Sequence, residues 1–192
     1  IYTLALHDAL PICLWSFNPV HFGHVGLAKW VLDNTELDEV WFMVSPNNPL
    51  KDPKILSPEE ERLAGVKEAI KDIPGLVASD FEFSLPKSSY MARTLYNLYM
   101  SHDPREYEFV LIIGEDSLKD FEKWQSFDYI LKAFRVFVYQ RKVYFNSHAV
   151  IVDLHNYMND QYYCQPLEIR YLYGAPQFDI SSTEIRNKTL NS

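Results

Sequence analysis

Short apolar runs rich in β-branched and aromatic residues alternate along the chain with longer stretches of helical periodicity. The runs predict strands at Ile12–Trp15, Glu39–Val44, Val77–Phe83, Phe109–Ile113, Arg135–Tyr139 and Ala149–Asp153. Helices are expected between them at Gly23–Asn34, Pro58–Asp72, Tyr90–His102 and Phe127–Lys132, with a last short one over Ile180–Lys188. The VLII run before Gly114 is apolar throughout, the pattern of a parallel strand buried on both faces. Strands alternating with helices make βαβ units, so the expected architecture is a single α/β domain, a parallel sheet with helices on both faces. The second helix has a readable start: Ser57 as N-cap, Pro58 in the first turn and Glu60 closing a capping box. Lys142–Glu168 interrupts the alternation and reads as a divergent insertion.

Composition narrows the function classes. The 192 residues are 47% hydrophobic and 23% charged, which excludes a disordered chain. A net charge of −8 argues against a general nucleic-acid binder, whose phosphate contacts need a basic face. It leaves room for a small anionic substrate held by a few local positive groups. No run approaches the length of a membrane helix, and the opening IYTLALHDALPI lacks the basic leader of a signal peptide. Cys13 and Cys164 do not form a disulfide framework, so a reducing cytoplasm is expected.

The densest chemistry follows the first strand, in Ser16-Phe17-Asn18-Pro19-Val20-His21-Phe22-Gly23-His24. Asn18-Pro19 should turn the chain. His21 and His24 can then share one face at the start of a helix, whose unpaired N–H groups and positive dipole end favour a phosphate. Two histidines alone read more readily as a helix cap, or as half of a metal site, though no Cys or further His nearby completes a ligand cluster. Near the other end, Ser181 and Glu184 form a second capping box, and Ser182, Thr183 and Arg186 follow in the same short helix. Taken alone, a capped helix with a surface arginine explains them more readily than a polyphosphate site.

Together these segments resemble the nucleotidyltransferase superfamily with the HxGH motif, and Asn18 resembles its nicotinate mononucleotide adenylyltransferases. The resemblance runs from about Ile12 to Lys188 and implies a Rossmann-like fold. It implies that His21, His24 and Arg186 are catalytic, and that Ser16, Phe17, Gly114, Asp116, Ser182 and Thr183 bind ATP. It further places Lys51 on a phosphate, and Ser89, Tyr90, Thr94 and Trp124 on the nicotinate side. Taken singly, Gly114-x-Asp116 is a turn, Lys51 a solvated lysine and Trp124 a packed aromatic. No protein metal cage is expected; Mg²⁺ would arrive with ATP. The implied reaction moves AMP from ATP to nicotinate mononucleotide, forming deamido-NAD and pyrophosphate in NAD biosynthesis. The alternatives are a related enzyme acting on nicotinamide mononucleotide or phosphopantetheine, and a catalytically impaired nucleotide-binding homologue.

Four departures from the family pattern bear on this. Leu14-Trp15 stand where relatives carry Gly-Gly, and Met91 and Arg93 replace a Thr and an Asp on the nicotinate side. Lys142–Glu168 is longer and more aromatic than the usual connection, and the helix after Arg186 is shorter than in relatives. Residues 1–12 match no start of that family and read as a segment foreign to it.

Overall fold

The computed structural model describes residues 8–46, 55–86, 90–118, 120–140 and 168–190. Among them six strands form one sheet: β1 (Asp8–Trp15), β2 (Val40–Val44), β3 (Leu76–Ser79), β4 (Tyr107–Gly114), β5 (Arg135–Tyr139) and β6 (Ile169–Tyr171). All neighbouring pairs are parallel, in the order β3-β2-β1-β4-β5-β6. This is the doubly wound arrangement, whose direction of winding reverses between β1 and β4; ligands of such sheets bind beyond the carboxyl ends of the strands at that point.

The helices are α1 (Phe22–Asn34), α2 (Glu59–Ile70), α3 (Met91–Ser101), the single turn α4 (Glu115–Leu118), α5 (Phe127–Ala133) and α6 (Ser182–Leu190). Alternation along β4 divides the core in two, as successive side chains point to opposite faces. Val110 and Ile112 pack with Leu27 and Val31 of α1 and Leu63 and Val66 of α2. Phe109, Leu111 and Ile113 pack with Leu95 and Leu98 of α3 and Ile130 and Leu131 of α5. Both faces of the sheet are therefore covered, as the unbroken apolar run predicts. Cys13 lies fully inside the first of these layers, where burial pushes its thiol up to about 12.

Differences from the sequence expectation have local causes. β1 begins at Asp8 rather than Ile12, and its residues 8–11 pair only with β4, since pairing to β2 starts at Ile12. Pro11 falls where the strand has one neighbour, the position at which a missing N–H is tolerated. β3 stops at Ser79, and Phe81–Ser84 forms a 3-10 turn instead of continuing the strand to Phe83. The Ser79 hydroxyl accepts the Phe81 N–H at 3.3 Å, offering the backbone an alternative to the ladder. Pro58, not Ser57, occupies the cap of α2, so the expected capping box does not form. Ser57 is committed elsewhere: its N–H donates to Asn18 Oδ1, and its carbonyl accepts from Arg62 Nε. The short strand β6 was absent from the sequence prediction, while the one expected at Ala149–Asp153 lies outside the described residues.

Arg62, on the core-facing side of α2, ties the carboxyl edge of the sheet together. Its Nη1 donates to the carbonyls of Ser16 (2.6 Å) and Ser45 (2.7 Å), Nη2 to Pro46 (3.2 Å) and Nε to Ser57 (2.8 Å). Burial lowers its pKa, opposed by Glu59 and Glu60. Arg62→Ala should cost more than about 3 kcal/mol in chemical denaturation, because buried carbonyls lose charged partners. Arg62→Lys should not restore it, since an ammonium lacks the planar fork that spans four acceptors.

Candidate active site

The turn from β1 into α1 is built by close packing and side-chain bonds. Phe17 is buried at φ 44, a left-handed conformation that is unusual for a bulky residue. Its ring meets His24 edge-on at 5.2 Å and lies against Phe42, contacts that hold it there. The following Asn18–Pro19 bond is cis. The Asn18 amide donates to the Ile55 carbonyl at 2.7 Å, and its oxygen accepts from Ser57 N–H at 3.2 Å. The loop is thus clipped to the segment leading into α2.

His21 caps α1 and His24 occupies its third position, as the spacing requires. Their rings stack with centroids 3.7 Å apart, and both residues are buried. The His21 N–H donates to His24 Nδ1 at 3.2 Å. In neutral His24 the proton therefore sits on Nε2, leaving that nitrogen as the donor. The cleft lined by His21, Gly23, His24, Leu27, Tyr139, Phe178 and Ile180 is narrow, about 10 Å³.

Two glycines let α6 reach this place. A methyl at Gly23 would lie 3.0 Å from Phe178 Cβ, 3.1 Å from His21 Nδ1 and 3.1 Å from Ile180 Cγ2, and one at Gly26 would collide with the Phe178 ring. The segment before α6 packs into that space and is fastened over β5, where the Tyr139 hydroxyl donates to Pro176 O at 2.8 Å. The capping box at the start of α6 forms as expected: Ser181 N–H donates to Glu184 Oε2 at 2.9 Å, and Glu184 N–H to Ser181 Oγ at 3.2 Å. Ser182 Oγ then donates to Pro19 O at 2.9 Å, Arg186 donates to Asn18 O, and its other nitrogen reaches Thr183 Oγ1 at 3.1 Å. The two helix starts and the loop between β1 and α1 therefore meet. A cavity of about 710 Å³ is lined by Asn18, Ile55, Arg62, Thr183 and Arg186 among others.

The remaining expected residues divide. Gly114 and Asp116 stand at the carboxyl end of β4, beside the β1 loop; a side chain at Gly114 would collide with the Asp116 carboxylate, which is exposed. Tyr90 caps α3 and Trp124 packs on Phe121 at 4.9 Å, both on the opposite face of the sheet from α1. Thr94 is fully buried, with its hydroxyl turned to Glu82. Lys51 and Ser89 lie outside the described residues, as do most of 142–168. The backbone of Trp15 pairs with Val44, while the side chains of Leu14 and Trp15 fall outside the description. Sequence reasoning missed Arg62 and Glu82. The available signals were an arginine on the apolar stripe of α2 and a carboxylate between two phenylalanines.

A family model, cytidylyltransferase-like, matches residues 14–188. The chain belongs to the cytidylyltransferase-like family. It is 40% identical to a protein described as a probable nicotinate-nucleotide adenylyltransferase of Bacteroides thetaiotaomicron, over 89% of this chain and 76% of that protein. It is 41% identical to one of the same description from Cytophaga hutchinsonii, over 90% and 81% respectively. In structure it is similar to the Plasmodium falciparum nicotinic acid mononucleotide adenylyltransferase complexed with NaAD. The TM-score is 0.75 at 16% identity, over 94% of this chain and 83% of that one, a likeness of fold.

Because the Asn18 amide both donates and accepts, Asn18→Asp places a carboxylate against the Ile55 carbonyl. Thermal and chemical unfolding should show a loss of about 1–3 kcal/mol, the cost of a buried bond replaced by repulsion.

Proposed function

We propose that the chain transfers the adenylyl group of ATP to nicotinate mononucleotide, the step that forms deamido-NAD in NAD biosynthesis. The observation that carries this reading is the stacked His21–His24 pair at the start of α1, facing the start of α6 with Arg186. Family membership and the names of the relatives agree with it.

In the reaction an oxygen of the mononucleotide's 5′-phosphate attacks the α-phosphorus of ATP. A new P–O–P linkage forms, the bond from the α-phosphorus to the bridging oxygen breaks, and pyrophosphate leaves with that electron pair. No covalent enzyme intermediate is needed, so the protein's work is alignment and neutralisation of charge. His24, held in one tautomer by the His21 N–H, offers Nε2–H to a phosphate oxygen. His21, Ser182, Thr183 and Arg186 would hold the triphosphate, exchanging their loop contacts for phosphate oxygens. Ser16 and Phe17 would shape the ATP side, Lys51 would reach a phosphate, and Asp116 would accept ribose hydroxyls.

Among the described residues no three His, Cys, Asp or Glu side chains gather as a metal cage. Magnesium would enter on the ATP phosphates as part of the substrate, in keeping with its preference for phosphate and water ligands. No helix among the described residues is long and apolar enough to cross a membrane. We place the enzyme in the cytoplasm, with ATP and the mononucleotide as its ligands.

Nicotinate is favoured over its amide by the cation at the α3 cavity. That cavity, about 570 Å³, is lined by Tyr90, Arg93, Tyr96, Gln125, Ser126 and Tyr129, with Ala92 at its base. A guanidinium can pair with the nicotinate carboxylate but not with the uncharged carboxamide, while aromatic walls stack on the pyridinium ring of either mononucleotide.

Pyrophosphate release from ATP should require nicotinate mononucleotide and be slower with nicotinamide mononucleotide or phosphopantetheine. Release with none of the three would overturn the reading. His24→Ala should lower kcat about 10²–10³-fold, the usual effect of removing a preorganised donor to developing charge. Steady-state rates at saturating ATP check this.

A further inference from the structure

Glu82 has no part in the chemistry above, yet it is 2% exposed, in the 3-10 turn that follows β3. Carboxylates are rarely enclosed this far unless they hold something. One oxygen accepts the Thr94 hydroxyl, and the Ser45 hydroxyl also faces the carboxylate. Burial pushes the carboxyl above its ordinary range, opposed by the hydroxyls of Thr94 and Ser45.

The surroundings say what is being held. Thr94 lies in the first turn of α3, and that turn supplies Ala92 and Arg93 to the wall of the 570 Å³ cavity, with Tyr90 at its cap. Thr94 itself is absent from the lining and fully buried. Ser45 ends the other way: its carbonyl is one of those gripped by Arg62, which also holds Ser16 in the loop before the two histidines. Glu82 therefore stands between the cavity wall and the clamped edge of the sheet.

We propose that Glu82 is a positioning residue: acting through Thr94, it sets the first turn of α3 and so the fit of the acceptor mononucleotide, without touching either substrate. This rests on the reading that the α3 cavity takes the acceptor. A merely structural role would lower stability and weaken both substrates alike. A positioning role splits the two Michaelis constants.

The experiment compares Glu82→Leu, Glu82→Gln and Thr94→Val with the wild-type chain in pyrophosphate release. Glu82→Leu and Thr94→Val should each raise the KM for nicotinate mononucleotide about tenfold, as a displaced wall degrades alignment, with the KM for ATP within about twofold. The double variant Glu82→Leu with Thr94→Val should be no worse than either single one, because both break the same link. Glu82→Gln keeps an acceptor for Thr94 and should recover most of the loss. Equal rises in both constants, or an unchanged acceptor KM, would overturn the proposal while leaving the functional reading intact. Absence of wild-type turnover with every mononucleotide would instead overturn that reading. Amide hydrogen exchange over Met91–Leu95, which needs no turnover, should quicken in Thr94→Val, and unchanged exchange there would overturn the link itself.

Discussion

The Arg62 guanidinium is the constraint on which the site depends. Where parallel strands end, their last carbonyls lose ladder partners and point outward, and such an edge would repel the phosphates of the proposed substrates. Arg62 gathers the carbonyls of Ser16, Ser45, Pro46 and Ser57 around one buried cation. The same contacts neutralise the edge and fix three connecting segments relative to one another. Asn18 adds a neutral link to the same segment through Ile55 and Ser57. Everything beyond β1, including the placement of α1, inherits its position from that arrangement.

The second level of organisation is steric and electrostatic together. α1 and α6 approach closely because Gly23 and Gly26 leave room for Phe178 and Ile180. Their N-terminal dipole ends then add to Arg62 and Arg186 at one place, although the chain as a whole carries −8. At the opposite edge of the sheet, charge is spent on structure. Arg135 grips Glu108 with two nitrogens, at 2.7 and 2.9 Å, and Glu36 at 2.8 Å, while Arg170 reaches Glu36 at 2.9 Å. Partial burial of Glu36 opposes its ionisation, but backbone, Arg135 and Arg170 bonds hold its pKa down to about 2. Paired acids at one edge and clustered positive ends at the other would let an acidic protein receive the anionic nucleotides proposed as its substrates.

How much of this was legible in the sequence follows from the range of each interaction. The six strands read from apolar runs and the helices read from periodicity depend on neighbours a few residues away, and those among the described residues appear with shifts of a few residues. The α6 capping box is equally local and forms as written. The Ser57 box fails because Asn18, 39 residues earlier, claims the Ser57 N–H. β6 is three residues long, and its half-buried and exposed positions carry no apolar alternation to read. Ser182, Thr183 and Arg186 are readable as a helix start, but the bonds of Ser182 to Pro19 and of Arg186 to Asn18 span more than 160 residues and have no local signature. Arg62 and Glu82 are the extreme case, since a buried charge is recognised only when its distant partners are known.

The histidine pair shows how such distant order becomes chemistry. A neutral imidazole carries one proton and can place it on either nitrogen, so an unconstrained histidine offers a phosphate a donor only part of the time. Here the cap geometry of α1 aims the His21 N–H at His24 Nδ1, and the edge-on Phe17 ring supports the imidazole from the side. In neutral His24 the donor is thereby assigned to Nε2, which is what preorganisation would mean for the proposed adenylyl transfer, a reaction whose barrier is mostly charge redistribution. Phe17 holds its place only in a left-handed conformation that side chains rarely adopt, and the loop that contains it is held at its two ends by Arg62 and Arg186. A strained turn kept in place by cations on both sides turns the contact between two helix starts into a directed hydrogen-bond donor.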